Sequence, residues 1–365
     1  MDMRKKNKIM CVLFACFLSL GFFLCIFFPK EDYSYSERRK LAKMPEFSWA
    51  SVLNGRFMTD FDSYAQDQFP FRESFRRLKA FAATDAFQRK DNYGIYQTEG
   101  YASAMEYPMN ESSLNRAAQR FRHIYNKYLT EENSVYLCVI PDKNYFLAPK
   151  SGHLSMDYLA FEKSMAEKME FAENISISHL LEQADFYKTD THWRQERIED
   201  VANHLAKTMG TSLKQDYQKK TATSDFLGVY AGQSALPLSS EPLYYLTNDA
   251  IDQAVVYNYE TNKIQSVYDF SRTDGKDPYE IFLSGPVSLL TIENPMASAS
   301  KELIVFRDSF GSSLAPLLLG GYSKITLVDI RYIHPDYLEQ YVDFTECDIL
   351  FLYSTLVLNN SDTFK

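Results

Sequence analysis

The chain has 365 residues, 45% of them hydrophobic, which suits one membrane anchor followed by one large domain or two small ones. Its formal net charge of −9 argues against a nucleic-acid-binding protein, which would carry a basic surface. The cysteines and histidines show no spacing typical of zinc, and neither a phosphate-binding P-loop nor an HExxH zinc motif occurs. We therefore expect no bound cofactor and no metal.

The N-terminal segment predicts a transmembrane anchor. Residues 9–28 are uncharged and apolar, about the length that crosses ~30 Å of hydrocarbon. Residues 1–8 contain four basic residues and are expected to form a cytoplasmic tail, which places the rest of the chain outside the membrane. A cleaved signal peptide is the alternative, but its shorter apolar core normally ends at small residues. Here Phe27-Phe28-Pro29-Lys30 follows, which favours an uncleaved signal anchor.

Residues 29–100 predict a stalk and an N-terminal helical segment. Residues 30–50 are charged and contain proline, which is typical of a stalk. A helical pattern over 57–88 is interrupted at Phe69-Pro70-Phe71, and 93–101 resemble a short hairpin.

Residues 101–365 alternate between strand and helix patterns. Continuous apolar runs, typical of strands buried on both faces, occur at 135–140, 303–306, 325–328 and 349–353. Helical patterns occur at 113–129, 154–174, 198–209, 312–319 and 335–341. The alternation predicts an α/β domain whose mainly parallel sheet is flanked by helices. Residues 241–290 alternate more like strands and suggest a β-rich insertion.

Ser309 lies where the strand at 303–306 turns into the next helix. Parallel sheets place their sites just beyond the carboxyl ends of such strands. A serine in this turn is exposed, and its own N–H points toward a helix N-terminus, which suits an oxyanion. The alternative is that Asp308 or Ser309 only caps the helix.

The segment Asp190-Thr191-His192-Trp193 precedes the amphipathic pattern at 198–209. A serine nucleophile needs a base, histidine suits that role near neutral pH, and a carboxylate must fix its tautomer. Asp190 and His192 cannot face each other on a regular helix, but in a loop they can. The alternative is that Asp190 or Thr191 caps the helix, although no capping box follows.

Four further residues are candidates for binding substrate. Trp193 has a ring that could stack on a sugar, but a tryptophan at a helix start is more often in the core. Lys143, Tyr279 and Arg331 are near strand ends and could line a pocket. For each of these three a structural salt bridge or hydrogen bond is the alternative.

The segments DTHW (190–193) and FRDSFGSSLAPLL (306–318) resemble those of the DHHW proteins of Gram-positive bacteria. These proteins in turn resemble the SGNH-hydrolase-like domains of alginate O-acetylation proteins. The resemblance extends through the N-terminal anchor to ERRKLAKMPEF (37–47), DQFPFR (67–72), VYLCVIPDKNYF (135–146), YEIFLSG (279–285) and VDIRY (328–332). It therefore covers nearly the whole chain, with Thr191 as a departure where the family name has histidine.

The resemblance implies an SGNH-like α/β fold with Ser309 as nucleophile, His192 as base and Asp190 as the residue that orients it. It also implies an O-acetyltransferase that modifies hydroxyl groups of an envelope or exported polysaccharide. Acetyl groups would reach this extracytoplasmic domain through a membrane-bound O-acyltransferase. A carbohydrate acetylesterase with the same three residues and a non-catalytic envelope scaffold are the alternatives.

Overall fold

The computed structural model of the chain describes residues 3–214, 216–297 and 300–365. The chain divides into two compact units. The first runs to Asn92 and includes Gly232–Pro237, whereas the second comprises Tyr93–Ala231 and Leu238–Lys365.

The first unit is mainly helical. Its helices and strands are α1 (Met3–Phe27), β1 (Tyr33–Ser34), β2 (Arg39–Lys40), α2 (Trp49–Leu53), α3 (Arg56–Asp67) and α4 (Arg72–Phe81), followed by a π-helical turn at Ala82–Ala86. Pro70 separates α3 from α4, in agreement with the predicted interruption, because proline lacks the N–H that would continue the helix.

Helix α1 is 25 residues long, or about 38 Å at 1.5 Å per residue, and none of its side chains is buried. Among the described residues it is the one helix long and apolar enough to cross a membrane. A signal sequence at this position would have the same features.

Ion pairs connect the stalk to the end of α3 and to the start of α4. Arg39 binds both carboxylate oxygens of Asp67, and Arg72 Nη2 lies 2.6 Å from Glu37 Oε2. The hydrogen bond from Arg39 lowers the pKa of the Asp67 carboxyl. The two sequence segments ERRKLAKMPEF and DQFPFR are therefore in contact with each other.

The second unit is built on an eight-stranded sheet. Two two-stranded sheets accompany it: β3 (Ile95–Thr98) with β4 (Tyr101–Ala104), and β7 (Gln218–Phe226) with β8 (Glu241–Thr247). The strands of the large sheet are β5 (Val135–Ile140), β6 (Glu173–Asn174), β9 (Val255–Asn258), β10 (Lys263–Gln265), β11 (Leu289–Glu293), β12 (Glu302–Arg307), β13 (Lys324–Val328) and β14 (Asp348–Ser354). Their order across the sheet is β10-β9-β11-β13-β12-β14-β5-β6.

Five of these strands, β13-β12-β14-β5-β6, run parallel, whereas β11, β9 and β10 are attached in antiparallel fashion. The sequence prediction of a mainly parallel sheet is confirmed. Within 241–290, where a β-rich insertion was expected, β9 and β10 extend the large sheet and β8 pairs with β7.

The remaining helices are α5 (Glu111–Tyr128), α6 (Asn144–Ser151), α7 (Tyr158–Lys168), α8 (Glu199–Thr208), α9 (Val229–Ser234), α10 (Asp249–Gln253), α11 (Phe310–Leu318) and α12 (Thr355–Leu358). Helix α7 is shorter than the helical pattern at 154–174. Several 3₁₀ turns connect these elements: Ser178–Leu180, Gln183–Asp185, Gln195–Arg197, Phe270–Arg272, Pro278–Ile281, Leu319–Gly321, Pro335–Gln340 and Ser361–Thr363.

Hydrophobic side chains fill the space on both faces of the large sheet. In β14, Leu350 and Leu352 belong to one core cluster, whereas Phe351 and Tyr353 belong to the other, because successive side chains point to opposite faces. Helices α8 and α11 contribute to the first cluster, and α5 and α7 to the second. The result is a sheet with helices on both sides, with the carboxyl ends of β12, β14 and β5 at one edge.

Candidate active site

Asp190 and His192 lie on a short loop that is closed by backbone hydrogen bonds. The N–H of Tyr187 donates to the carbonyl of His192 at 3.1 Å, and the N–H of Arg194 donates to the carbonyl of Asp185 at 2.7 Å. The chain therefore doubles back between these residues, which brings the Asp190 and His192 side chains close together.

The Asp190 carboxylate is fully buried and binds the imidazole. Its Oδ1 lies 2.6 Å from His192 Nδ1 and accepts the His192 backbone N–H, while Oδ2 accepts the N–H of Val229 at 2.9 Å. A side-chain carbon on Gly228 would overlap the Asp190 side chain, so glycine permits the approach of this backbone. The carboxylate holds the Nδ1–H tautomer, which leaves Nε2 as an acceptor.

The second ring nitrogen of His192, Nε2, contacts Ser309. This residue follows β12 and begins α11, as the sequence predicts, and its Oγ lies 2.7 Å from His192 Nε2. Asp190 is fully buried and His192 nearly so, but Ser309 is partly exposed. The structure thus brings the three predicted residues into one hydrogen-bonded chain that ends at a reachable hydroxyl.

Helix capping was the alternative role for Asp308 or Ser309, and it is Asp308 that binds the N–H at the start of α11. Its Oδ1 accepts the N–H of Phe310 at 3.0 Å, and its Oδ2 accepts both the N–H and the hydroxyl of Ser354. Ser309 makes no capping hydrogen bond through its side chain. The serine hydroxyl is therefore left to His192.

Tyr279 fixes the plane of the imidazole. The two rings are stacked, with centroids 3.8 Å apart and planes 6° from parallel, and Phe310 packs against the imidazole at 5.1 Å. The Tyr279 hydroxyl donates to Ser313 Oγ at 2.8 Å. Burial raises the pKa of Tyr279 well above its usual value, so the hydroxyl stays protonated. Tyr279 is therefore a buried side chain that contacts the candidate base.

Trp193 belongs to the core, not to a sugar-binding surface. Its indole is fully buried, packs against Phe310, and donates from Nε1 to Ser313 Oγ at 2.9 Å. A sugar needs an open ring face, so the stacking role suggested for Trp193 does not fit this structure.

Lys143 lies beneath the loop that precedes Asp190. Its Nζ donates to the carbonyls of Tyr187 and Lys188 at 2.7 and 3.3 Å. Glu241, which the sequence did not single out, accepts the N–H groups of Lys188 and Thr189 on the same segment. Burial lowers the pKa of Lys143 to about 7 and raises that of Glu241. Lys143 and Glu241 both form hydrogen bonds with the backbone of this loop. For Lys143 these contacts match the alternative of a structural hydrogen bond.

Arg331 also makes a structural ion pair. Its guanidinium binds both oxygens of Asp329, at 2.9 and 2.6 Å, and Arg307 lies 3.8 Å from the same carboxylate. The ion pair with Asp329 is the structural salt bridge that was the alternative to a pocket-lining role for Arg331.

Thr191, the position that departs from the family name, has a partner in this structure. Its hydroxyl lies 3.2 Å from that of Tyr230, which acts as donor. Tyr230, Glu241 and Gly228 support the Asp190 loop from distant parts of the sequence, and no local motif marks them. Within 3–214, 216–297 and 300–365, no group of three or more His, Cys, Asp or Glu residues is arranged to hold a metal ion.

Comparison with solved structures shows which fold this is. A DHHW family protein from Eubacterium siraeum aligns with a TM-score of 0.60 at 18% identity, covering 75% of this chain and 97% of its own. Bacillus cereus PatB1 aligns with a TM-score of 0.57 at 15% identity, covering 74% of this chain and 98% of its own, and a second PatB1 structure contains a sulfonyl adduct. The O-acetyltransferase domain of Pseudomonas putida AlgJ is less similar, with a TM-score of 0.46 at 12% identity over 73% of this chain and 92% of its own.

The chain matches no protein-family model, and no curated protein sequence matches it. The structural similarity establishes a shared SGNH-like α/β fold with the DHHW protein, as the sequence resemblance suggested.

Proposed function

We propose that this chain is a membrane-anchored, extracytoplasmic O-acetyltransferase that transfers acetyl groups to hydroxyls of an envelope or exported polysaccharide. The observation that carries the proposal is the hydrogen-bonded chain from Asp190 through His192 to the partly exposed hydroxyl of Ser309. Serine, imidazole and carboxylate in this order supply a nucleophile, a base and the group that orients the base.

In the first half-reaction, Ser309 Oγ attacks the carbonyl carbon of an acetyl ester or thioester while His192 Nε2 accepts its proton. Asp190 stabilises the imidazolium that forms. The tetrahedral oxyanion lies near the start of α11, where the Ser309 N–H belongs to a helical turn without intrahelical acceptors. The donor's leaving group takes the proton from His192 as its bond to the acetyl carbon breaks, which leaves acetyl-Ser309.

In the second half-reaction, a sugar hydroxyl gives its proton to His192 Nε2 and attacks the acetyl carbon. The bond to Ser309 Oγ then breaks, and the serine regains a proton from His192. The products are an O-acetylated sugar and the free enzyme. Apart from the two substrates, the side chains of Ser309, His192 and Asp190 and the backbone N–H of Ser309 take part.

The acetyl donor must be available outside the membrane. Helix α1 serves as an uncleaved anchor with a cytoplasmic N-terminus, and a membrane-bound O-acyltransferase passes acetyl groups across. The resemblance to alginate O-acetylation proteins supports this partner.

A carbohydrate acetylesterase is the second candidate, because Ser309 is partly exposed and water can reach an acetyl group on it. The two activities differ in the final acceptor only. Product analysis with a chromogenic acetyl ester, in the presence and absence of a polysaccharide acceptor, separates them. Acetyl-sugar formation supports transfer, whereas acetate as the sole product in both cases supports hydrolysis.

Ser309→Ala is the decisive variant, and Ser312→Ala is its matched control. Ser312 is buried one turn further along α11, and its hydroxyl has no hydrogen-bond partner among the described residues. We expect Ser309→Ala to abolish acetyl transfer and acetate release, while Ser312→Ala retains both. Unchanged activity in Ser309→Ala would exclude the mechanism.

A serine-reactive probe distinguishes an enzyme from a non-catalytic scaffold. A sulfonyl fluoride is suitable, since a PatB1 structure contains a sulfonyl adduct and these reagents react with activated serine hydroxyls. We expect labelling of the wild type and of Ser312→Ala but not of Ser309→Ala. A folded wild-type protein that remains unlabelled would favour the scaffold.

A further inference from the structure

A row of large apolar side chains on and before α4 faces outward. Each is between 46% and 59% exposed, and we call this set the aromatic face: Phe69, Phe71, Phe75, Leu78 and Phe81. From position 71 onward the spacing of four, three and three residues places these side chains on one side of the helix. Contiguous exposed apolar surface of this kind marks an interaction site.

Helix α4 is oriented opposite to an ordinary surface helix, which buries its apolar side. It buries Arg76 and Ala80 instead. Arg76 Nη2 donates to the carbonyls of Gly232 and Gln233 at 2.7 and 2.9 Å. A rotation of α4 that covered the aromatic face would break these two hydrogen bonds, so the contacts of Arg76 hold α4 with the aromatic face exposed.

The aromatic face begins where α1 ends. The side chain of Gln68 binds both the N–H and the carbonyl of Glu31, four residues beyond the end of α1. The rings of Phe28 and Phe71 are in contact, with centroids 5.2 Å apart. The apolar surface of α1 therefore continues directly onto the aromatic face.

The charge of this segment differs from that of the rest of the chain. Residues 30–92 carry twelve Lys and Arg against ten Asp and Glu, whereas residues 93–365 carry 23 against 37. A slightly basic segment is attracted to anionic lipid headgroups, and a strongly acidic one is repelled by them.

We infer that the aromatic face inserts into the interfacial layer of the lipid bilayer that α1 spans, an inference that rests on the proposed membrane anchor. Amphipathic helices of this type lie in the plane of the membrane with their apolar side about 5–10 Å into the headgroup and acyl boundary. Aromatic side chains are favoured at that depth. The hydrogen bonds between Gln68 and Glu31 keep α4 at the membrane surface, so the stalk lies along the bilayer.

Quenching of tryptophan by brominated lipid tests this inference on the full chain in vesicles of zwitterionic and anionic phospholipid. In a Trp49→Phe background, the fully buried Trp193 supplies a constant baseline. Three reporters are then compared: Phe75→Trp on the aromatic face, Phe17→Trp within α1, and Leu159→Trp on α7, which is similarly exposed. Acetyl-ester hydrolysis or circular dichroism verifies that each variant is folded.

We expect loss of reporter emission in brominated lipid for Phe75→Trp and Phe17→Trp, but none for Leu159→Trp. Quenching of Phe17→Trp without quenching of Phe75→Trp would overturn the inference and leave the anchor intact. If neither were quenched, the anchor itself would be wrong. If emission from Phe75→Trp is not quenched by brominated lipid but its wavelength shifts with protein concentration, the aromatic face binds a second copy of the chain. That result would also overturn the inference.

Discussion

The Asp190→Asn substitution tests how the carboxylate controls the imidazole. It preserves the size of the side chain but replaces one oxygen by an NH₂ group. In the native site Oδ1 accepts the His192 Nδ1–H and Oδ2 accepts the Val229 N–H. The amide offers one acceptor for these two donors, so one of them must face NH₂ whichever way the amide is turned.

Each orientation has its own cost. If NH₂ faces His192, the imidazole must adopt the tautomer with a proton on Nε2, which cannot accept the Ser309 proton. General base catalysis, worth about 10²–10⁴-fold, is then lost. If NH₂ faces Val229, the tautomer survives but a partly buried N–H loses its acceptor, at about 1 kcal/mol of stability. The imidazolium also loses its counter-charge in both cases, so we expect kcat to fall by at least about 10²-fold.

The assay combines turnover of a chromogenic acetyl ester with urea unfolding of the same preparations. Asp185→Asn is the control, because Asp185 is a buried carboxylate on the same loop that pairs with Arg197 and the Glu182 N–H. We expect this control to lose stability while retaining most of its kcat. Wild-type turnover in Asp190→Asn, or an equal loss of kcat in Asp185→Asn, would refute the assigned role.

Three further predictions concern residues around the site and in the same unit. Tyr279→Phe keeps the ring stacked on His192 and should retain kcat with a stability loss of about 1 kcal/mol. Tyr279→Leu removes the ring and should lower kcat more than it changes KM. Steady-state kinetics in which the two variants lose kcat equally would give the hydroxyl a chemical role. Burial and the charge of Asp142 raise the pKa of Glu106 to about 7, so the folded chain holds a proton that the unfolded chain releases, and stability should fall as pH rises from about 4.5 to about 7. Urea unfolding at pH 5 and 8 should show this fall in the wild type and not in Glu106→Gln, and the same slope in both proteins would contradict it. Burial lowers the pKa of Lys143 to about 7, so the folded chain releases its proton before the unfolded chain does, and stability should rise from pH 7 toward pH 10; Lys143→Met should flatten that rise, and an unchanged slope would contradict the assignment.

The sequence predicted the parts of the fold that local patterns encode. The central strands β5, β12, β13 and β14 appear as continuous apolar runs, because both faces of the sheet are covered. It could not show where β9 and β10 belong, since alternating side chains fix a strand but not its pairing partner. The helical pattern at 154–174 was too long because periodicity is a poor guide to helix ends.

The candidate site divides in the same way. Ser309, His192 and Asp190 were singled out because each lies in a short motif at the end of a secondary-structure element. Tyr279 was expected near a pocket, but its stacking on the imidazole depends on contacts between distant segments. Glu241 was missed for that reason, since its role is to bind backbone N–H groups of another loop. Trp193 is the opposite case, because its position beside the Asp190 and His192 motif suggested a sugar-binding role, yet its side chain is buried in the core.

Direct detection of acetyl-Ser309 tests the central claim most directly. The wild-type chain is mixed with an acetyl ester, quenched in acid during turnover, digested and examined by mass spectrometry. We expect the acetyl group on the peptide that contains Ser309, and no acetylated peptide from Ser309→Ala. Turnover that continues in Ser309→Ala, or an acetyl group found on another residue during wild-type turnover, would contradict the account.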